Sequence, residues 1–292
     1  MYIATLLTNP ATPVLDAPTV EALRNAWCGG DVVWLNPDIA AEFALPATPD
    51  NRWQVWEDLQ ARGVDMAVQS AEGRRKRMLL ADMDSTMIGQ ECIDELADEA
   101  GVGPYVADIT ARAMNGELDF EGALRARVAL LKGLPETTIA KVLAERISFT
   151  PGGRELIATM KAHGAHAVLV SGGFTAFTTH VAQALGFDEH RANLLKMDGG
   201  LLTGTVAEPI LGRAAKVAAL EEITARLGIT PEDVLAVGDG ANDLGMLGRA
   251  GAGVALHAKP VVAAQCELRV NHGDLTALLY LQGYSVTDFV NM

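Results

Sequence analysis

The octapeptide LLADMDST, residues 79–86, runs an apolar strand straight into two carboxylates, Asp82 and Asp84, and then into two hydroxyls, Ser85 and Thr86. Like charges that close repel, and neither is stable when buried and bare. Two explanations are open. Either the pair sits in a solvated βα turn where Ser85 or Thr86 caps a helix, or something positive lies beside it. A calcium loop is excluded. That motif needs Gly at its sixth position and Glu at its twelfth, where this chain has Met87 and Ile93.

Working outward, residues 78–81, 167–170 and 234–237 are short, wholly apolar runs, each ending in a polar turn: ADMDST, SGGF and GDGAND. Continuous apolar strands that alternate with helical segments imply an α/β fold, a parallel sheet covered on both faces. Ligands of such sheets bind beyond the carboxyl ends of the strands. The three turns are therefore expected to converge at one edge. The long stretch between the first two strands exceeds one crossover helix, and residues 91–100, 118–131 and 135–145 read as helical. An insertion there would sit over the strand ends as a lid, hinged near 88–89 and 149–152.

The chain has 292 residues and 49% hydrophobic content, enough for about two domains. Its net charge of −14 argues against a nucleic-acid partner. The basic run Arg74-Arg75-Lys76-Arg77 reads as a solvated linker. Three scattered cysteines without a CxxC fit a reducing cytosol rather than a disulfide framework or zinc site. The first residues read as a strand rather than a signal peptide. No run reaches the ~18 apolar residues of a membrane span. The expected location is cytoplasmic, with no membrane partner.

Residues 1–73 read as a small α/β domain, with strands at 2–8, 31–35 and 64–69, helices at 17–27 and 52–62, and a loop at 36–46. The larger α/β core is expected at 74–88 and 149–292, with the helical insertion at 89–148. His163, His166, His180 and His190 lack metal-ligand spacing and read as surface or turn residues.

Taken singly, the motifs are modest. Ser171-Gly172-Gly173 at a strand end can cradle a phosphate or form an ordinary turn. Lys216 is one lysine on a helix. Gly238-Asp239-Gly240-Ala241-Asn242-Asp243 is stronger, since carboxylates and an amide among glycines suit a hard cation such as Mg²⁺.

In order and placement, DMDST, SGG, Lys216 and GDGAND together resemble the four motifs of the haloacid dehalogenase (HAD) superfamily. The acid at Asp84 matches its phosphatases rather than its dehalogenases. The stretches DMDSTMIGQECIDELA (82–97), LDFEGALRARVALLKGLP (118–135), DGGLLTGTV (198–206) and VGDGANDLGML (237–247) are further similar to the phosphoserine phosphatases of that superfamily. The resemblance covers about two thirds of the chain.

It implies a three-layer Rossmann-like HAD core with a parallel sheet and a helical cap insertion after the first core strand. Relatives carry an ACT-like domain at the N-terminus, here expected in degenerate form and compatible with a homodimer. The resemblance makes O-phospho-L-serine the substrate and the reaction the last step of serine synthesis. Asp82 would be the nucleophile and Asp84 the acid and base. Mg²⁺ would be held by Asp82, the Asp84 backbone carbonyl and Asp239, with Asp243 behind them. Ser171, Gly172 and Lys216 would hold the phosphoryl oxygens, and Asn242 would orient them. Arg127 would take the substrate carboxylate and Glu91 its ammonium, with Met114 and Phe120 as apolar lid positions. A phosphatase or phosphotransferase for another small phosphate ester, or a catalytically idle ligand sensor, stay open as alternatives. A sensor has no need for both Asp82 and Asp84.

Overall fold

The computed structural model describes residues 1–114 and 117–290. The chain opens with β1 (Tyr2–Thr8), α1 (Ala17–Ala26), β2 (Val33–Asn36), β3 (Ala40–Leu45), α2 (Arg52–Gln60) and β4 (Val64–Ser70). These form a βαββαβ unit whose antiparallel sheet has the order β2-β3-β1-β4. This order is the ferredoxin-like motif, complete with four strands. The segment expected as a loop at 36–46 carries the fourth, β3. Its sequence AAEFAL lacks β-branched residues, so its strand character is hidden. It is held by burial, with Ala40, Ala41, Phe43 and Leu45 all in the interior.

Strand β1 shows why this unit is not a free appendage. Ala4 and Leu6 face the unit's own helices, in a core with Val20, Phe43 and Leu59. Leu7, on the opposite face, joins the large core of the rest of the molecule. A sheet covered on both faces needs apolar residues at successive positions, as β1 has. The basic run after β4 is a solvated linker only in part: Arg75 and Arg77 are exposed, but Arg74 and Lys76 are half-buried. Arg74 pairs with Glu42 at 2.6 Å, the side chains 10% and 15% exposed, and donates to the Leu281 carbonyl at 3.1 Å. A guanidinium so placed clamps the two units together.

The chain continues with β5 (Met78–Ala81), then α3 (Cys92–Glu99), α4 (Gly103–Met114), α5 (Phe120–Ala129) and α6 (Thr137–Glu145). Three of these helices fall where the sequence pattern puts them, and α4 is additional. The helical insertion is entered and left side by side. Ile88 bridges Phe149, and the Gly89 N–H donates to the Ser148 carbonyl at 3.0 Å.

Next come α7 (Gly153–Ala162), β6 (His166–Phe174), α8 (Thr175–Leu185), β7 (Glu189–Asn193), β8 (Leu195–Asp198) and β9 (Leu201–Val206). The last part holds α9 (Arg213–Leu227), β10 (Val234–Gly238), α10 (Leu244–Arg249), β11 (Ala252–Leu256), α11 (Pro260–Ala263), β12 (Leu268–Val270) and α12 (Ala277–Leu281). The main sheet is wholly parallel, in the order β12-β11-β10-β5-β6-β7. The chain builds outward from β5 on one side and returns to build from β10 on the other. The crevice at such a reversal lies beyond the carboxyl ends of β5 and β10. The β8–β9 hairpin is tied to the insertion, with reciprocal hydrogen bonds from Gly133 to Leu202 and from Leu202 to Leu134.

Candidate active site

Asp82 follows the last residue of β5, and its N–H donates to the Val237 carbonyl of β10 at 3.0 Å. That bond fixes the turn at the sheet reversal. No helix starts at Ser85 or Thr86, so the helix-cap explanation of the hydroxyls fails: the next helix begins at Cys92. Ser85 instead adopts φ +54° and donates its hydroxyl to Glu91 Oε1 at 2.8 Å. A positive φ is uncommon for a residue with a side chain. Here it turns the chain back so that Glu91 lies over the aspartate pair.

Something positive does lie at the pair, and it is Lys216. Its side chain is 0% exposed, and Nζ donates to Asp82 Oδ1 and to Asp243 Oδ1, each at 2.6 Å. Burial alone would pull a lysine pKa down, but the two carboxylates outweigh it and hold the pKa above its ordinary value. Asp82 is raised by burial and by Asp243, with Lys216 opposing. Asp239 is lifted to about 6 by burial first, then by Asp243 and Glu91.

Asp84 differs from its neighbour. Its Oδ1 is sealed from solvent and has no hydrogen-bond partner among the described residues. Burial, with Glu91 next, raises its pKa to about 7. Two carboxyls one residue apart thus have separate environments: one ion-paired to Lys216, one with a bare buried oxygen. Such a split assigns different jobs to chemically identical groups.

One ligand oxygen each from Asp82, Asp239 and Asp243 lies within 4.8 Å of the others. An all-carboxylate set suits a hard divalent cation. Asp243 has both oxygens engaged, Oδ1 by Lys216 and Oδ2 by the Gly240 N–H at 3.1 Å. It suits support better than direct ligation. Gly238 is obligatory here, since a Cβ at that position would lie 2.5 Å from Asp243 Cγ.

The second turn sits at the end of β6. Ser171 is buried, and its Oγ accepts from the Gly173 N–H at 2.8 Å. Phe120, first residue of α5, reaches down from the insertion. A Cβ on Gly172 or on Gly212 would lie 3.1 Å from its ring. The residue that joins these two loops was not singled out from the sequence. Asn193 is buried, donates from Nδ2 to the Gly172 carbonyl at 2.8 Å, and accepts at Oδ1 from the Leu211 N–H at 2.7 Å. Its only sequence signal is an amide at a strand's carboxyl end.

Arg127 and Arg125 are separated by their surroundings. Arg125 is exposed and paired with Glu121 and Glu208 at 3.1 and 2.7 Å. Arg127 is half-buried, with its pKa pulled down by burial against Asp94, Glu91 and Asp84. Those three carboxylates place its charge beside the site. Asn242 is half-buried next to Asp243. Met114 ends α4, and its side chain lies outside the described residues.

The residue geometry agrees with the relatives. Residues 79–248 match the family model of the haloacid dehalogenase-like hydrolases. A phosphoserine phosphatase of Streptomyces coelicolor is 41% identical over 288 residues, 96% of this chain and 70% of that protein. Among solved structures, a HAD family hydrolase from Salmonella enterica subsp. enterica serovar Typhi is 31% identical with a TM-score of 0.86, covering 96% of this chain and 98% of that one. A phospho-aspartyl intermediate analogue of phosphoserine phosphatase is 42% identical with a TM-score of 0.66, covering 70% and 98%. Motifs, sheet topology and relatives agree: the chain belongs to the haloacid dehalogenase-like hydrolase family.

Proposed function

We propose that this chain is a phosphoserine phosphatase, a phosphoric monoester hydrolase that converts O-phospho-L-serine to L-serine and phosphate through an aspartyl-phosphate on Asp82. The observation that carries the reading is the contrast between the two aspartates. Asp82 is ion-paired to buried Lys216, and Asp84 has one buried carboxyl oxygen without a hydrogen-bond partner among the described residues and a pKa raised to about 7.

An ionised Asp82 carboxylate is the nucleophile toward phosphorus. Asp84, carrying its proton, delivers it to the departing serine oxygen, then takes a proton from the water that attacks the aspartyl-phosphate. Lys216 stays charged throughout and offsets negative charge on the phosphoryl oxygens, which the Ser171 hydroxyl and Gly172 help to hold. Asn242 orients the same oxygens. Asp82, the Asp84 carbonyl and Asp239 would hold Mg²⁺, which supplies charge neutralisation to a phosphate dianion approaching a carboxylate. Asp243 keeps Lys216 and the Gly240 turn in place behind them.

Recognition of the amino acid falls to the insertion. A guanidinium binds a carboxylate through paired N–H donors, the role of Arg127. Glu91 takes the ammonium, and Phe120 and Met114 close the site against water. The enzyme belongs in the cytoplasm, at the final step of serine synthesis. An N-terminal sheet with β2 at its open edge is compatible with a homodimer. No helix among the described residues is long and apolar enough to cross a membrane.

The test is phosphate release from O-phospho-L-serine with Mg²⁺, beside O-phosphothreonine and p-nitrophenyl phosphate. Strong preference for phosphoserine, abolished in Asp82→Asn, is the expected result. Equal rates on all three esters would remove the roles of Glu91 and Arg127. No release by folded protein would remove the enzyme reading altogether.

A further inference from the structure

Asp65 is fully buried on β4 of the N-terminal unit, yet none of its hydrogen bonds goes to a cation. Its Oδ1 accepts from the Asn271 N–H at 2.9 Å and from Gln60 Nε2 at 3.0 Å. Its Oδ2 accepts from the His272 and Gly273 N–H groups at 2.9 and 2.8 Å. Three successive backbone N–H groups turned onto one anion form a nest. The anion that fills it comes from another folding unit, more than two hundred residues away in sequence. Asn271 Nδ2 adds a bond to Gln60 Oε1 at 2.8 Å.

The same short segment leans on the insertion's exit. The Leu275 N–H donates to the Pro151 carbonyl at 3.1 Å. Gly152 has φ +80°, and a Cβ there would lie 2.6 Å from the Thr276 nitrogen and 3.1 Å from Asp274 Oδ1. Leu275 Cδ1 lies against Gly153, beside Met87. Residues 271–276 therefore touch Asp65 at one end and the exit hinge, Pro151–Gly152, at the other.

We propose that Asp65 is a positioning residue for the helical insertion: from the N-terminal unit it fixes the 271–276 segment against which the Pro151–Gly152 hinge turns. The proposal rests on the phosphoserine reading, because it acts through the contacts that Glu91 and Arg127 make with the amino-acid part of the substrate. Replacing the carboxylate by an amide turns an NH2 donor toward N–H groups that one carboxylate oxygen now accepts, so the segment must rearrange to satisfy them. The hinge loses its fixed neighbour, and the insertion no longer closes in register. A small ester with no amino or carboxyl group does not need those contacts.

The experiment compares wild type with Asp65→Asn. The expected result is a KM for O-phospho-L-serine raised roughly 3- to 30-fold, with p-nitrophenyl phosphate turnover per folded molecule unchanged. Loss of folded protein alone lowers both substrates together and overturns the proposal, as does a phosphoserine KM equal to wild type. Hydrogen exchange supplies a readout independent of the substrate. Faster exchange at 271–276 and at 150–153 together is expected, whereas faster exchange at 271–276 alone refutes the coupling. A wild type without phosphoserine preference would sink the functional reading and leave the exchange result to judge Asp65. If Asp65→Asn does not fold, Asn271→Ala cuts the Gln60 tie and must show the same split, smaller; equal effects on both esters overturn it.

Discussion

Asp84 and Lys216 carry the most testable consequences at the residue scale. Asp84 is lifted to about 7 by burial and then by Glu91. An acid must hold its proton in order to give it, so kcat/KM for phosphoserine falls as pH rises through about 7. A pH–rate profile flat across that range removes Asp84 as the acid. Lys216→Met leaves Asp82 and Asp243 buried and uncompensated. The expected cost is about 3–5 kcal/mol of stability and at least ~100-fold in kcat, read by urea titration and by phosphate release. Adding Asp243→Asn to that variant should recover part of the stability and none of the activity, which separates folding from chemistry. Lys216 also shows how far a residue type misleads by itself. A lysine on a helix is ordinarily solvated, and only its neighbours make this one interior.

Loops held by a third element are the weak points at the scale of elements. Asn193, at the end of β7, satisfies the Gly172 carbonyl and the Leu211 N–H at once. Asn193→Ala strands both, at an expected cost of about 1–3 kcal/mol, and loosens the Ser171–Gly172 turn and the approach to α9 together. A KM for phosphate esters that rises alongside the lost stability checks this; a stability loss with unchanged KM refutes it. The apolar strands β5, β6 and β10 were readable because burial on both faces demands continuous hydrophobic runs. Strand β3 was not, because alanines carry little strand signal. Helix α4 was missed for a related reason: its sequence GPYVADITARAM opens on Gly-Pro and mixes strand-favouring residues into the helical period.

For the whole molecule, the N-terminal unit is part of the core rather than a tethered module. Leu7, Leu35, Ala40 and Ala67 pack into the same apolar cluster as Leu79 and Tyr280. Arg74→Met leaves Glu42 without its cation and removes one of the two donors to the Leu281 carbonyl, where Gln69 Nε2 stays at 2.7 Å. The expected loss is about 3 kcal/mol, seen as one cooperative transition at lower denaturant. A separate early transition of the N-terminal unit would show instead that the two units unfold independently. The Asp65 contacts run through this same boundary, so stability and hinge geometry are linked there.

The sequence by itself determined the strand-end turns, their order, and hence the HAD core, the aspartate pair and the place of the helical insertion, while Lys216 stood out only through the family resemblance. These follow from local patterns, since apolar runs and polar turns are written within a few residues of each other. Only the tertiary structure decided which carboxylate is ion-paired to Lys216 and which keeps a bare oxygen, that Asn193 joins two loops, and that residues 65, 74 and 271–276 join the units. Those properties depend on burial and on partners brought from distant parts of the chain, and no local window of sequence contains them.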